Sequence, residues 1–253
     1  MREAVDHLLL PAECLLCRSL LSFAHSARLV CDVCRHRWRP VRPPWCARCG
    51  QPEPSFGCCR LCAEWPEAFG LARSAVWLDA GAREAVHALK YGGLPRIAAD
   101  LAALMVGLEV PGLESAWLVP VPLGRARLRA RGYNQSQRLA RALGRSWRRP
   151  VVDLLVRTRD TAAQTALTPE ARLANVAGAF EMRNAECGMR NEGQPCNSAF
   201  RIPHSALGRT LILVDDVFTT GATLAEAARA LERAGAGTVA AVTFGRAVVP
   251  DFT

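Results

Sequence analysis

This chain of 253 residues has no apolar run of the roughly 18 to 20 residues that a membrane-crossing helix needs. Its start, "MREAVDHLLLPAEC", carries acids and loses its apolar character at once, so it is not expected to act as an export signal. A cytoplasmic setting is therefore expected, and disulfides are a poor explanation for its cysteines. Cysteine itself is missing from most of the chain, with none between Cys62 and Cys187. Acids are scarce: 23 Asp and Glu face 32 Lys and Arg, a formal net charge of +9. That balance favours polyanionic partners, such as phosphate-rich small molecules, nucleic acid or an acidic protein surface. No internal repeat is visible beyond the cysteine pairs.

Nine of the eleven cysteines lie before residue 63, and eight of them form C-x-x-C pairs. These are Cys14 and Cys17, Cys31 and Cys34, Cys46 and Cys49, and Cys59 and Cys62; Cys58 is left over. A C-x-x-C turn aims two sulfurs at one point, and two turns supply a tetrahedron of thiolates. Thirteen residues separate the first two pairs and nine the second two, gaps that suit short loops closed by zinc. Two structural zinc ions are expected, pairing neighbours in sequence being simpler than an interleaved arrangement. His25 and His36 are candidate substitutes for a missing thiolate. The aromatics and prolines around Trp38, Pro40 and Trp45 can pack around metal but hardly form a core alone.

"EWPEAFGLAR" reads as a linker, after which periodic patterns begin. Strands are expected at 74–78, 116–121, 211–214 and 238–244. Helices are expected at 82–93, 97–108, 135–147 and 223–235. This alternation predicts an α/β fold, a parallel sheet covered on both faces. Within it, "LILVDDVFTTGATL" (211–224) runs an apolar strand into Asp215 and Asp216, then into a loop that opens a helix. Ligands of open parallel sheets bind beyond the carboxyl ends of the strands. Two carboxylates there accept from vicinal hydroxyls, and a helix N-terminus after Thr219, Thr220, Gly221, Ala222 and Thr223 attracts an anion. The matching ligand is a sugar phosphate; the plainer alternative is a capped turn with incidental acids.

The segment resembles the phosphoribosyl pyrophosphate (PRPP) motif of type I phosphoribosyltransferases. More narrowly, the whole chain resembles the ComF family, a cysteine-rich zinc module joined to a phosphoribosyltransferase-like domain. The resemblance rests on the cysteine pairs, "LKYGG" (89–93), "VPVPLGRARLRARGYNQSQRLARAL" (119–143), "RTRDTAAQTALTPEARLANVAGAF" (157–180) and "LILVDDVFTTGATL". It implies a double zinc-ribbon module at 10–66 and a phosphoribosyltransferase-like domain at 70–253. It implies that Asp215 and Asp216 hold the ribose hydroxyls and that Thr219 to Thr223 hold the 5′-phosphate. The turn after "LVPVP", with Arg125 and Arg131, would face pyrophosphate. Residues 157–175 would close over PRPP, with Arg159, Gln164 and Arg172 as contacts. Magnesium would accompany PRPP.

Between Arg125 and Arg157 stand ten arginines and one acid, Asp153. Arg125, Arg127, Arg129 and Arg131 alternate, so an extended backbone would place four guanidiniums on one face. Three readings stay open: pyrophosphate capture, a groove for single-stranded nucleic acid with Tyr133 or Trp147 for stacking, and a solvated face. Residues 181–209 form a polar, Asn- and Gly-containing insertion, expected to be a mobile surface loop; Cys187, Cys196 and His204 in it are irregularly spaced for metal. Two functions of different class follow. One is a PRPP-binding protein linked by the resemblance to natural competence and DNA uptake, contacting DNA or a DNA-processing protein such as a helicase. The other is an active, pyrophosphate-releasing phosphoribosyltransferase. No general base or base-recognition segment is evident, so the acceptor is unreadable.

Overall fold

A computed structural model describes residues 12–22, 28–52, 59–159, 176–183 and 208–247. Its strands are β1 (Phe69–Trp77), β2 (Trp117–Pro120), β3 (Leu155–Arg157), β4 (Phe180–Met182), β5 (Thr210–Phe218) and β6 (Thr238–Arg246). The central sheet has the order β1-β6-β5-β2, and every neighbouring pair is parallel. β3 and β4 form a separate antiparallel pair. Parallel neighbours need crossovers, and helices supply them. These are α1 (Asp32–Arg37), α2 (Ala80–Tyr91), α3 (Ile97–Met105), α4 (Arg125–Arg131), α5 (Gln135–Trp147) and α6 (Ala222–Arg233).

Alternation along the strands feeds two cores. Ile212, Val214, Ala240 and Val242 pack with buried residues of α2, α3 and α5. Leu211, Leu213, Val239 and Ala241 pack with the buried face of α6. Both faces of β5 are covered, which is why its sequence reads as an unbroken apolar run. Local signals fix the helix ends. Asp79 caps α2, its Oδ1 accepting from Ala82 N at 3.0 Å, and Asn134 caps α5, its Oδ1 accepting from Ser136 N at 3.0 Å.

The structure corrects two expectations. β1 begins at Phe69, inside the presumed linker, because Phe69 and Ala72 fill the core on the α6 face. And the alternating arginines are helical, not extended. Arg, Ala and Leu all favour helix, and that propensity overrides a period of two that has no second face to bury. Gly132, at φ +78°, ends the helix. Arg125 and Arg129 therefore share one flank of α4, and Arg127 and Arg131 another.

The cysteine-bearing segments are built onto the sheet. Val41 N donates to Ala75 O at 3.1 Å, and Trp77 N donates to Arg39 O at 2.8 Å, so residues 39–41 pair antiparallel with the outer edge of β1. This pairing covers the β1 edge at residues 75–77, where unpaired backbone groups would otherwise be open. On one side of the crossing, Cys14, Cys34 and Trp38 join the core beneath α2, α3 and α5; on the other, Cys49, Cys62 and Trp65 join the core beneath α6.

Candidate functional site

The eight paired cysteines gather into two groups. Cys14, Cys17, Cys31 and Cys34 have their sulfurs within 4.8 Å of one another, and so do Cys46, Cys49, Cys59 and Cys62. Neighbouring pairs therefore share a site, and the interleaved arrangement is excluded. Sulfurs about 2.3 Å from a tetrahedral zinc stand about 3.8 Å apart. Here Cys17 and Cys31 are 3.7 Å apart, Cys46 and Cys62 3.7 Å, and Cys49 and Cys59 3.5 Å. All eight thiols are free of disulfides. Both donor sets fit structural zinc. His36 takes no part: its Nδ1 lies 2.8 Å from Asp32 O within α1. Cys58, His25, Cys187, Cys196 and His204 lie outside the described residues.

The aspartates sit within the sheet rather than in a loop beyond it. Asp215 is in register with Thr243 of β6, and β5 continues to Phe218. Both acids are buried, Asp216 to 3% exposure. Asp215 Oδ1 accepts from Ser136 Oγ at 2.7 Å and from Asp216 N at 2.9 Å. Asn134 anchors this end of α5 by donating to Val121 O at 3.0 Å, so the carboxyl ends of β2 and β5 and the start of α5 converge. Burial, and then the Asp216 charge, push the Asp215 carboxyl up to about 7 against the opposing pull of Ser136 and Lys90.

Lys90, at the end of α2, completes the group: its Nζ lies 2.8 Å from Asp216 Oδ2. Burial works to lower the lysine's pKa, but the Asp216 carboxylate, by charge and hydrogen bond, and Asp215 behind it outweigh this and raise it. Sequence reasoning passed over this residue. The signal was present, since Lys90 is the one lysine of a chain with 31 arginines.

The loop after β5 leads into α6 through Thr219 and Thr220. Gly221 occupies the position before the helix at φ +77°, and no side chain caps that end. Two causes demand glycine here. A side chain rarely adopts this φ, and a Cβ would lie 2.8 Å from Phe218 Cζ and 3.0 Å from Trp65 Cζ2. Close packing against those rings is thus a reason for Gly221 beside any approach of a phosphate. Thr220 is buried and its Oγ1 lies 3.5 Å from Ala222 N, while Thr219 and Thr223 are half-buried.

The remaining candidates scatter. Arg125 is exposed on α4; Arg131 donates to Gln135 Oε1 and lies over the Tyr91 ring, 5.1 Å from its centroid. Arg159 donates to Ala177 O, beside the turn that leads into β4. Gln164 and Arg172 lie outside the described residues, as does most of 181–209. The β3–β4 pair does bracket residues 158–179, the stretch that carries these candidates. Tyr133 and Trp147 are anchored, Tyr133 Oη donating to Leu89 O at 2.5 Å and Trp147 Nε1 to Val106 O at 2.9 Å. The exposed ring in this region is Tyr91, at 69%.

Comparison with known proteins meets this geometry at both ends. Residues 5–63 match the model of a double zinc ribbon domain, and residues 129–247 match that of a phosphoribosyl transferase domain. The chain is 33% identical over 248 residues to DNA utilization protein YhgH of Salmonella typhimurium, covering 92% of this chain and 96% of that protein. Its identity to the Escherichia coli K12 protein of the same name is 31% over 251 residues, with the same coverage. Competence protein ComFC of Bacillus subtilis is 28% identical over 225 residues, 85% of this chain and 82% of that one. No helix among the described residues is long and apolar enough to cross a membrane.

Proposed function

The chain belongs to the ComF family, and from that premise we propose that it is a PRPP-binding protein that serves the handling of incoming DNA. The observation that carries this reading is the convergence, toward the carboxyl ends of the strands, of Asp215, Asp216, Ser136 and Lys90 with the start of α6. Asp215 and Asp216 receive the ribose hydroxyls; Thr219, Thr220, Gly221, Ala222 and Thr223 receive the 5′-phosphate at the helix N-terminus. Magnesium arrives with the polyphosphate, which brings most of its own ligand shell. Arg125, Arg131 and Arg159, with Gln164 and Arg172, are the candidates for the pyrophosphate side. The two thiolate sites suit a reducing, cytoplasmic setting.

The DNA part of the reading rests on α4 and the end of α2. Arg125 and Arg129 are exposed, Leu128 is 42% exposed, and Tyr91 offers a ring beneath the Arg131 guanidinium. Charge with an exposed ring suits a single strand, whose bases stack and whose phosphates release counterions. The relatives' names, DNA utilization and competence protein, point the same way.

Calorimetry with Mg·PRPP and with ribose 5-phosphate tests the sugar-phosphate site. Binding of both, lost for both in Asp215→Asn with the protein still folded, supports it. A parent protein that binds neither refutes it. Pyrophosphate release against a panel of nitrogenous bases and amines would make the protein an enzyme as well as a binder. Single-strand affinity that falls steeply with salt, with a flatter slope in Arg125→Ala/Arg129→Ala, supports the DNA surface; an unchanged slope removes it.

A further inference from the structure

Two neighbouring carboxylates, buried on one strand end, resist being charged together. Desolvation penalises each charge, and each charge penalises the other. A ribose with two vicinal hydroxyls needs acceptors on both. Ser136 Oγ and Asp216 N supply two donors, and both fall on the same atom, Asp215 Oδ1. Among the described side chains, the cation that meets Asp216 is Lys90.

The fold commits Lys90 to this place. Its helix, α2, ends one residue later, and Gly92 closes the end so tightly that a Cβ there would lie 2.9 Å from Ala88 O. Tyr133 Oη pins the preceding carbonyl, that of Leu89. With its backbone held on both sides, the turn aims Lys90 inward and leaves Tyr91 exposed. The Lys90 side chain keeps 25% of its exposure, so it lies at the wall of the site rather than sealed beneath it. An arginine in its place would bring a planar fork, whereas the ammonium is a compact point charge that neutralises one carboxylate oxygen. In a chain that otherwise uses arginine for its basic residues, this position has the lysine.

We propose that Lys90 is a positioning residue for ribose recognition: it holds the Asp216 carboxylate charged and oriented beside Asp215, so that both acids accept from the sugar hydroxyls at once. The inference rests on the sugar-phosphate reading of the site, but it makes a claim that can be checked without ligand. The charged and titratable groups at issue are Lys90 and the neighbouring Tyr91 hydroxyl on α2, and Asp215 and Asp216 on β5; the neutral hydroxyl of Ser136 on α5 donates to Asp215, and Thr243 of β6 is in register with it.

The test uses Lys90→Met, Lys90→Arg, Asp216→Asn and the Lys90→Met/Asp216→Asn double variant, each checked for fold by circular dichroism. Without ligand, carbon NMR follows the titration of Asp215. Removing the lysine charge should raise its midpoint by about one pH unit or more. Calorimetry with ribose 5-phosphate should show Lys90→Met binding about tenfold or more weaker at neutral pH and recovering toward the parent near about pH 9, above the raised Asp215 midpoint. Lys90→Arg should fall between the parent and Lys90→Met, since the charge is kept but the planar fork meets the carboxylate differently. In the Asp216→Asn background, Lys90→Met should cost nothing further, because Lys90 acts through that carboxylate. A loss in Lys90→Met that is equal at every pH, or a further loss in the double variant, overturns the proposal. If Lys90→Met does not fold, the double variant, which removes both charges, decides alone. If the parent binds no sugar phosphate, the binding reading fails, and the NMR titration judges Lys90 by itself: an unmoved Asp215 overturns its role.

Discussion

The two cysteine clusters are chemically alike and structurally opposite. Each gathers four sulfurs from two C-x-x-C turns, yet the chain crosses the edge of β1 between them and leaves one on each face of the sheet. The first props the helical layer. Leu29 N donates to Asp100 Oδ2 of α3 at 2.8 Å, and Trp38 meets Phe244 edge-on at 5.3 Å. The second stands behind the candidate phosphate loop. Trp65, three residues after Cys62, stacks on Phe69 at 4.2 Å and sets the wall that Gly221 touches. The Arg246 guanidinium, fully buried over the Phe218 ring, donates to Cys49 O at 2.7 Å and to Gln51 Oε1 at 2.8 Å. One metal site therefore supports packing remote from the loop, and the other supports the residues that shape it.

Removing a ligand from each site should separate these roles most sharply. Cys62→Ser should release zinc from the second cluster, cost several kcal/mol of stability and abolish ribose 5-phosphate binding, because the loop loses its backing. Cys17→Ser, at the exposed rim of the first cluster, should release zinc from that cluster and keep the affinity within about threefold where the protein stays folded. Elemental analysis and calorimetry check both. Equal losses of affinity would erase the distinction between the faces.

The tryptophans repeat the comparison without touching metal ligands. Trp38 is 4% exposed and Trp65 8%, so replacing either by Ala should cost about 3 to 5 kcal/mol in denaturant unfolding. Of the two, Trp65→Ala alone should also weaken sugar-phosphate binding, since Trp65 and not Trp38 stands against Gly221. A Trp38→Ala variant that loses affinity as much as Trp65→Ala would break the argument.

None of this sidedness was readable from the sequence, although most of the sheet was. The helix expected at 135–147 is α5, Gln135–Trp147, and Leu139, Ala140 and Leu143 are buried on it at helical intervals. β5 and the cysteine pairing followed from an apolar run and from proximity in sequence. What failed were patterns whose meaning depends on distant neighbours. The alternation of Arg125 to Arg131 would place four guanidiniums on one face of an extended backbone, yet propensity makes it a helix. Phe69 looked like linker because its partner Val239 lies far along the chain. Lys90 meets Asp216 only through the crossover that returns α2 to the end of β5, so its role needed coordinates even though its rarity did not. Gly221 suggested a phosphate approach, while the Trp65 ring beneath it belongs to a segment that seemed separate.

That glycine gives the next smaller test. Gly221→Ala meets both a left-handed φ and the Phe218 and Trp65 rings, so it should cost about 2 to 4 kcal/mol. Gly132→Ala, at a similar φ of +78° with nothing within 4 Å of a Cβ, should cost only about 1 to 2 kcal/mol. Urea unfolding of the two variants measures the difference, which is the share due to the wall. Equal costs would mean that the second cluster's side of the loop yields easily.

The smallest effects concern two buried acids, one for each region. Burial raises the carboxyl of Asp100, beside the first cluster, against the opposing hydrogen bond from Leu29 N; burial and Asp216 raise that of Asp215, in the site, to about 7. An acid whose folded pKa is raised binds its proton more tightly in the native state. Its contribution to stability is fully present below the unfolded value of about 4 and is lost as pH rises through the folded value. The parent should therefore lose part of its melting temperature as pH climbs from about 4 to about 8, and Asp215→Asn should remove the larger part of that slope. Asp100→Asn should remove a smaller part, because the Leu29 N hydrogen bond and the Arg35 and Arg28 charges oppose the rise of its carboxyl, and it should leave ribose 5-phosphate affinity within about twofold. Affinity in the parent should move the opposite way, rising through about pH 7 as Asp215 becomes a charged acceptor for the ribose. Melting curves and calorimetry over this range give both slopes. If Asp100→Asn changes the pH dependence of binding as much as Asp215→Asn does, the first face is coupled to the site after all, and the two clusters differ only in position.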